Sequence, residues 1–120
     1  MQALIKPFNA DNEFYFAEGC FINELSNSSD DNLSIARARV GPGVTTRWHR
    51  LSYTAERYVI VQGQGLVEVG DLPATQIGVG DVVIIPPMCR QRIQNTGVQD
   101  LVFLAISTPP FTAEVYQDLE

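Results

Sequence analysis

Several residue types are scarce in this chain, and each scarcity excludes a class of protein. Two cysteines, Cys20 and Cys89, are too few for the disulfide framework of a small secreted domain. The longest uninterrupted apolar runs, 82–87 and 101–106, have the length of strands and fall well short of a membrane span. Because the N-terminus shows no charged leader followed by an apolar segment, we expect a cytoplasmic protein. At 120 residues the chain is expected to be a single domain, 1–120.

Basic residues are also few, and the net charge of −6 argues against nucleic acid or an anionic membrane as a partner. Lys6 is the only lysine, and five of the seven arginines lie in two short stretches, 47–57 and 90–92. A guanidinium group matches the geometry of a carboxylate or a phosphate. These arginines therefore predict a small anionic ligand, with pairing to surface carboxylates as the alternative.

The pattern of apolar residues predicts an all-β protein. Short alternating or apolar segments are separated by Gly, Asp, Asn or Pro, which is typical of an antiparallel sandwich or barrel. The predicted strands are 20–25, 33–40, 44–51, 56–62, 65–70, 75–78, 82–86, 89–94 and 100–107. A polar loop is expected at 26–32, and the tail is expected to form a helical turn within 112–119.

Two spaced motifs give the most specific signal. The first has the spacing G-x5-H-x-L-x4-E-x6-G and consists of Gly43, His49, Leu51, Glu56 and Gly63. The second has the spacing G-x5-P-x-M-x2-Q-x3-N and consists of Gly80, Pro86, Met88, Gln91 and Asn95. Both resemble the two signatures of the cupin family, G-x5-H-x-H-x3/4-E-x6-G and G-x5-P-x-G-x2-H-x3-N. The resemblance covers about residues 33–108 and implies a jelly-roll β-barrel, also called a double-stranded β-helix.

The resemblance also implies a metal site. In the cupin family, the two His and the Glu of the first motif hold a metal together with the His of the second. Here Leu51 and Gln91 stand at two of the His positions, which leaves His49, Glu56 and Gln91 as metal ligands. This donor set suits a divalent Fe, Mn, Ni or Zn ion. The alternative is a metal-free core in which His49 is hydrogen-bonded to Glu56 or Gln91.

Strand alternation predicts which other side chains face the barrel interior. If His49 points inward, so does Arg47, and on the next strand Glu56 and Tyr58 share one face. We expect Arg47 to bind an anionic substrate, with Tyr58 beside it. Tyr53 is expected to line the pocket as well, with a subunit interface as the alternative. Glu56 is expected to serve as a metal ligand or as a general base.

The implied function is therefore a small cupin that binds a divalent metal and a small anionic molecule. The family's chemistry makes it a candidate oxygenase, isomerase or decarboxylase, and the alternative is a non-catalytic barrel that binds a small ligand without metal. Segment 14–25 contains Phe14, Tyr15 and Phe16 and has few polar positions for a free sheet edge. It predicts a homodimer interface.

Overall fold

The computed structural model describes residues 1–28 and 30–120, and within them the chain folds into two antiparallel sheets. The strands are β1 Phe14–Phe16, β2 Cys20–Ser26, β3 Ser34–Val40, β4 His49–Leu51, β5 Ala55–Gln62, β6 Gln64–Val69, β7 Thr75–Gly78, β8 Val82–Ile85, β9 Gln91–Asn95, β10 Leu101–Thr108 and β11 Tyr116–Asp118. One sheet has the order β1-β2-β3-β10-β5-β8, and the other has the order β11-β4-β9-β6-β7. This arrangement confirms the predicted all-β jelly roll.

The core lies between the inner faces of the two sheets. Side chains alternate along β5 and β9, so that Tyr58, Ile60 and Ile93 are buried while their sequence neighbours are more exposed. Phe103 of β10 is 2% exposed and packs against the Tyr58 ring. Because both sheets contribute apolar residues over most of their length, the polar residues buried at one end of the barrel require a separate explanation.

The short strand β4 departs from the sequence prediction. A strand was expected over 44–51, but regular pairing begins only at His49. The Thr46 amide donates to the Ile93 carbonyl, whereas the next amide, that of Arg47, donates to the carbonyl of Glu18 in the β1–β2 turn. Because the backbone changes partner between these two residues, the side-chain alternation is broken there.

The tail also differs from the prediction. Only Ala113–Val115 form a 3-10 turn, and the next residues, Tyr116–Asp118, form a strand that pairs with β4. The helical turn expected within 112–119 is therefore largely wrong, because β4 offers backbone groups with which the tail can form a ladder. Ser29, within the loop predicted at 26–32, lies outside the described residues.

Two motif residues support the backbone and do not reach the site. Gly63 has a φ of 81°, and a Cβ atom there would lie 2.8 Å from the Asp100 carbonyl oxygen. Only glycine fits such a close approach in the left-handed region. The side-chain amide of Asn95 donates to the carbonyls of Val40 and Gln99 and is 1% exposed. It therefore ties the turn after β9 to the end of β3.

No helix among the described residues has the length and apolar character needed to cross a membrane.

Candidate functional site

His49, the only histidine of the chain, is held in a fixed orientation on β4. It is 2% exposed, and its Nδ1 lies 2.8 Å from the Arg47 carbonyl oxygen. A carbonyl can only accept, so Nδ1 carries the proton and Nε2 presents its lone pair in the neutral ring. Burial lowers the pKa of His49, which favours that neutral form.

Three buried side chains form a hydrogen-bonded chain next to His49. The Tyr58 hydroxyl donates to Oε1 of Gln91 at 2.5 Å, and Nε2 of Gln91 donates to Oε1 of Glu56 at 2.6 Å. The backbone register places His49 directly opposite Gln91 in the β4–β9 pair. Both ends of the Gln91 amide are thus occupied, while the second oxygen of Glu56 has no hydrogen-bond partner among the described residues.

Glu18 is a site residue that the sequence analysis missed. It lies in the β1–β2 turn, and its Oε2 is 3.6 Å from Nε2 of His49. Its side chain is 12% exposed, because the turn is bonded to the backbone of Arg47 and lies over the barrel end. No spacing or alternation marks Glu18 in the sequence, since the packing of the turn alone brings it to His49.

Burial changes the acidity of both carboxyl groups. Burial raises the pKa of Glu18 to about 7, against a weaker lowering effect of the hydrogen bond with Cys20. Burial also raises the pKa of Glu56 to about 7; the hydrogen bond from Gln91 opposes this rise, and the nearby Glu18 adds to it. Carboxyl groups that titrate near neutral pH can give or take a proton during a reaction.

A cavity of about 70 Å³ opens beside these carboxyl groups on the inner face of the first sheet. Its floor is made of small residues, Ala38, Ala105 and Ser107, which leave space that larger side chains would fill. Its aromatic wall consists of Phe14, Phe16, Tyr58, Phe103 and Phe111. The cavity therefore combines an apolar wall with a few polar groups, as small-molecule sites commonly do.

The C-terminal strand encloses His49 from the outside. The ring of Tyr116 stacks on the His49 ring, with 5.2 Å between centroids and 23° between planes, and it packs edge-to-face with Phe16. The Tyr116 hydroxyl is buried and has no hydrogen-bond partner among the described residues. This tyrosine was not predicted as a site residue, because the tail was expected to form a helical turn and not a strand beside β4.

Two of the residues expected in the pocket lie elsewhere. The predicted inward orientation of Arg47 is wrong: its side chain is 43% exposed and pairs with Asp118 at 3.1 Å. The break in alternation before His49 is the physical reason. Tyr53 is 86% exposed, with a φ of 56° in the β4–β5 loop, so the prediction that it lines the pocket is also wrong. Tyr58 does line the cavity.

Comparison with known protein families agrees with this geometry. The model of the family described as "Cupin domain" matches residues 36–107. This chain belongs to the cupin family. An uncharacterised protein of Methanocaldococcus jannaschii is 34% identical to this cupin over 87 residues, which are 72% of this chain and 69% of that protein.

Solved structures resemble this cupin in fold. A double-stranded β-helix protein of Klebsiella pneumoniae has a TM-score of 0.78 at 14% identity, with 98% of this chain and 99% of that chain covered. Pac13, a nucleoside dehydratase of Streptomyces that has also been solved with uridine, has a TM-score of 0.78 at 15% identity, with coverage of 98% and 92%. KdgF of Halomonas has a TM-score of 0.76 at 15% identity, with coverage of 87% and 94%. At these identities the likeness concerns the fold alone.

The described residues give no support to a resident metal ion at the predicted ligands His49, Glu56 and Gln91. Among the described residues, no three or more His, Cys, Asp or Glu side chains are grouped so that they could hold one. The Gln91 amide oxygen, the atom that would ligate a cation, accepts the hydrogen bond from Tyr58. Leu51, on the same face of β4 as His49, is 3% exposed and offers only a hydrocarbon side chain.

Proposed function

We propose that this cupin binds a small organic molecule in the cavity beside Glu56 and transforms it by proton transfer from its own side chains. The observation that carries the proposal is the state of Glu56. It lines the cavity, is 7% exposed, and is held through one oxygen by Gln91, while its second oxygen is without a partner among the described residues. This second oxygen is not one of the fully buried unpaired atoms of the described residues, so it is open to the cavity, where a ligand or water can donate a hydrogen bond to it.

The neighbouring residues support this role of Glu56. Tyr58 fixes the direction of the Gln91 amide, so that its nitrogen faces Glu56. His49 presents an unprotonated Nε2 towards Glu18, and a protonated Glu18 can donate to it. Burial raises the pKa values of Glu18 and Glu56 to about 7, so that each can take or give a proton near neutral pH. Burial also favours the neutral form of His49. Isomerisation and elimination of water are reactions that such groups can perform.

A divalent Fe, Mn, Ni or Zn ion on His49, Glu56 and Gln91 is the cofactor that the sequence analysis predicted. In the structure the Gln91 oxygen accepts the Tyr58 hydroxyl, which occupies one of its two lone pairs. The anionic substrate predicted from the arginines has no cationic partner in the cavity, since Arg47 pairs with Asp118. A non-catalytic ligand-binding barrel remains the alternative, and turnover distinguishes it from an enzyme.

The test uses the full chain after treatment with a chelator. The protein is incubated in D2O with a panel of small hydroxylated, carbonyl and amine compounds, and proton NMR follows exchange of carbon-bound hydrogen or loss of water. We expect turnover of at least one compound without added metal, and its loss in Glu56→Gln. Glu68→Gln is the control, because Glu68 pairs with Arg92 outside the cavity. Turnover that appears only after a divalent ion is restored would contradict the proposal, as would full turnover by Glu56→Gln.

A further inference from the structure

The charge of the cavity lining is of one sign. Three carboxyl groups, those of Glu18, Glu24 and Glu56, line it, and none of its lining residues is an arginine or a lysine. Two arginines close in sequence to residues of the site pair elsewhere, Arg47 with Asp118 and Arg39 with Glu13. Among the described residues, no cationic side chain pairs with the carboxyl groups of the cavity, because the neighbouring His49 ring is neutral.

Five aromatic rings make up much of the rest of the lining, beside the small residues of its floor. Phe16 packs edge-on against Phe111, with ring centroids 6.3 Å apart, and both line the cavity together with Phe14, Tyr58 and Phe103. Aromatic faces attract a cation through the ring quadrupole, and this attraction grows when the cation is removed from water. Carboxyl groups and aromatic faces thus favour the same kind of ligand, by independent physical effects.

From this lining we infer that the ligand is a small organic cation, such as a protonated or quaternary amine, that contacts Glu56 and Glu18 and packs against the phenylalanine rings. The inference rests on the proposed function, because it assigns the ligand class of the same cavity. A cavity of about 70 Å³ has room for roughly five water molecules, which corresponds to a ligand of about five to seven non-hydrogen atoms.

Other ligand classes fit this lining less well. An anion would bring a further negative charge beside two buried carboxyl groups, where the repulsion is weakly screened. A neutral alcohol could donate one hydrogen bond to the free oxygen of Glu56, but it gains nothing from the aromatic faces beyond its apolar contact. A cation, in contrast, compensates the buried negative charge that these glutamates carry when they are ionised.

A matched set of probes tests the charge of the ligand at nearly constant shape. Tert-butylammonium, tert-butanol and pivalate are titrated into the full chain by isothermal calorimetry at pH 8. We expect tert-butylammonium to bind about 10- to 100-fold more tightly than tert-butanol, the scale of a hydrogen bond to a charged group. Pivalate is expected to bind more weakly than either.

Variants that each remove one negative charge show which carboxyl groups cause the preference for the cation. In Glu56→Gln and Glu18→Gln the preference for the cation over the alcohol should fall by about tenfold or more. Glu68→Gln removes the same charge from the outer face and should keep the preference. Circular dichroism and the melting temperature establish that each variant is folded, and the two cavity variants each remove one of the two carboxyl groups from a different element.

The outcomes separate this inference from the proposed function. Equal or tighter binding of tert-butanol or pivalate would overturn the inference, as would no binding of tert-butylammonium or an unchanged preference in both cavity variants. None of these results decides whether the protein turns over a substrate, which the NMR experiment measures without regard to charge. Conversely, selective binding of the cation without turnover of any compound would leave a binding protein with the ligand class inferred from this cavity.

Discussion

Replacement of Glu56 by glutamine should stabilise the protein at pH 8 and change its stability little at pH 4. Glu56 is 7% exposed, and burial raises its pKa from 4.5 to about 7, with Glu18 adding to the rise and Gln91 and His49 opposing it. Glutamine has nearly the same size, and its oxygen can still accept the hydrogen bond from Gln91. The variant therefore removes the titratable carboxyl group and keeps the packing of the side chain.

The magnitude follows from the difference in pKa between the folded and unfolded chain. Between pH 4.5 and about 7 the folded protein keeps a proton on Glu56 that the unfolded chain has already released. The free energy of unfolding therefore falls as the pH rises through this window and stays low above it. At about 1.36 kcal/mol per pKa unit, the raised pKa of Glu56 corresponds to about 3 kcal/mol at pH 8. Below pH 4.5 both states are protonated, and the penalty is absent.

Urea unfolding followed by the fluorescence of Trp48, the single tryptophan, measures this effect. The quantity compared is the difference in free energy of unfolding between variant and wild type. His49, whose lowered pKa makes the free energy of unfolding rise with pH, is present in both proteins, so its contribution largely cancels. Glu18→Gln should behave similarly, since the pKa of Glu18 is also raised to about 7. Glu68→Gln is the control. A difference for Glu56→Gln that is the same at pH 4 and pH 8 would refute the reasoning.

Four further predictions concern the frame around the site. Leu51→His should lower the melting temperature by burying an imidazole, without recovery on addition of Zn, Ni or Mn, and a larger metal-induced rise than in the wild type would count against this. Gly63→Ala should lower the free energy of unfolding by about 2 kcal/mol or more, whereas Gly78→Ala, which has open space at its Cβ, should be nearly neutral in the same urea titration. Arg47→Met should leave ligand affinity within about twofold in calorimetry, because its partner is Asp118; a larger loss would place Arg47 at the ligand. Light scattering should give the mass of a dimer, since Phe14 and Tyr15 of the edge strand β1 are 46% and 63% exposed, and a monomer mass at micromolar concentration would contradict it.

The strands could be predicted because their signals are local. Alternation along β5 and β9 indicates that the side chains of Glu56, Tyr58 and Gln91 point into the barrel. The two motifs mark the turns between strands. Gln91 and Tyr58 were placed inside the barrel from this pattern, and both are buried there. The same reasoning failed for Arg47, because it assumed a regular strand where the backbone changes its hydrogen-bonding partner.

The remaining site residues depend on packing between distant segments, which no local pattern records. Glu18 reaches His49 because the β1–β2 turn bonds to the backbone of Arg47. Tyr116 reaches it because the tail adds a strand to the sheet edge. Both are ordinary residues in the sequence, an acid in a turn and an aromatic near the terminus. The hydrogen bond between Tyr58 and Gln91 likewise required coordinates, since strand alternation places both side chains inside the barrel but does not show that they are bonded.

The pairing of β4 has a consequence for how the protein opens. Among the described residues, this strand is in register with β9 at one residue pair, His49 with Gln91, but with β11 at three. The position of His49 therefore depends mainly on the pairing of the tail with β4. Fraying of residues 116–118 would uncover this histidine, so amide hydrogen exchange in 49–51 and 116–118 should be governed by one shared opening.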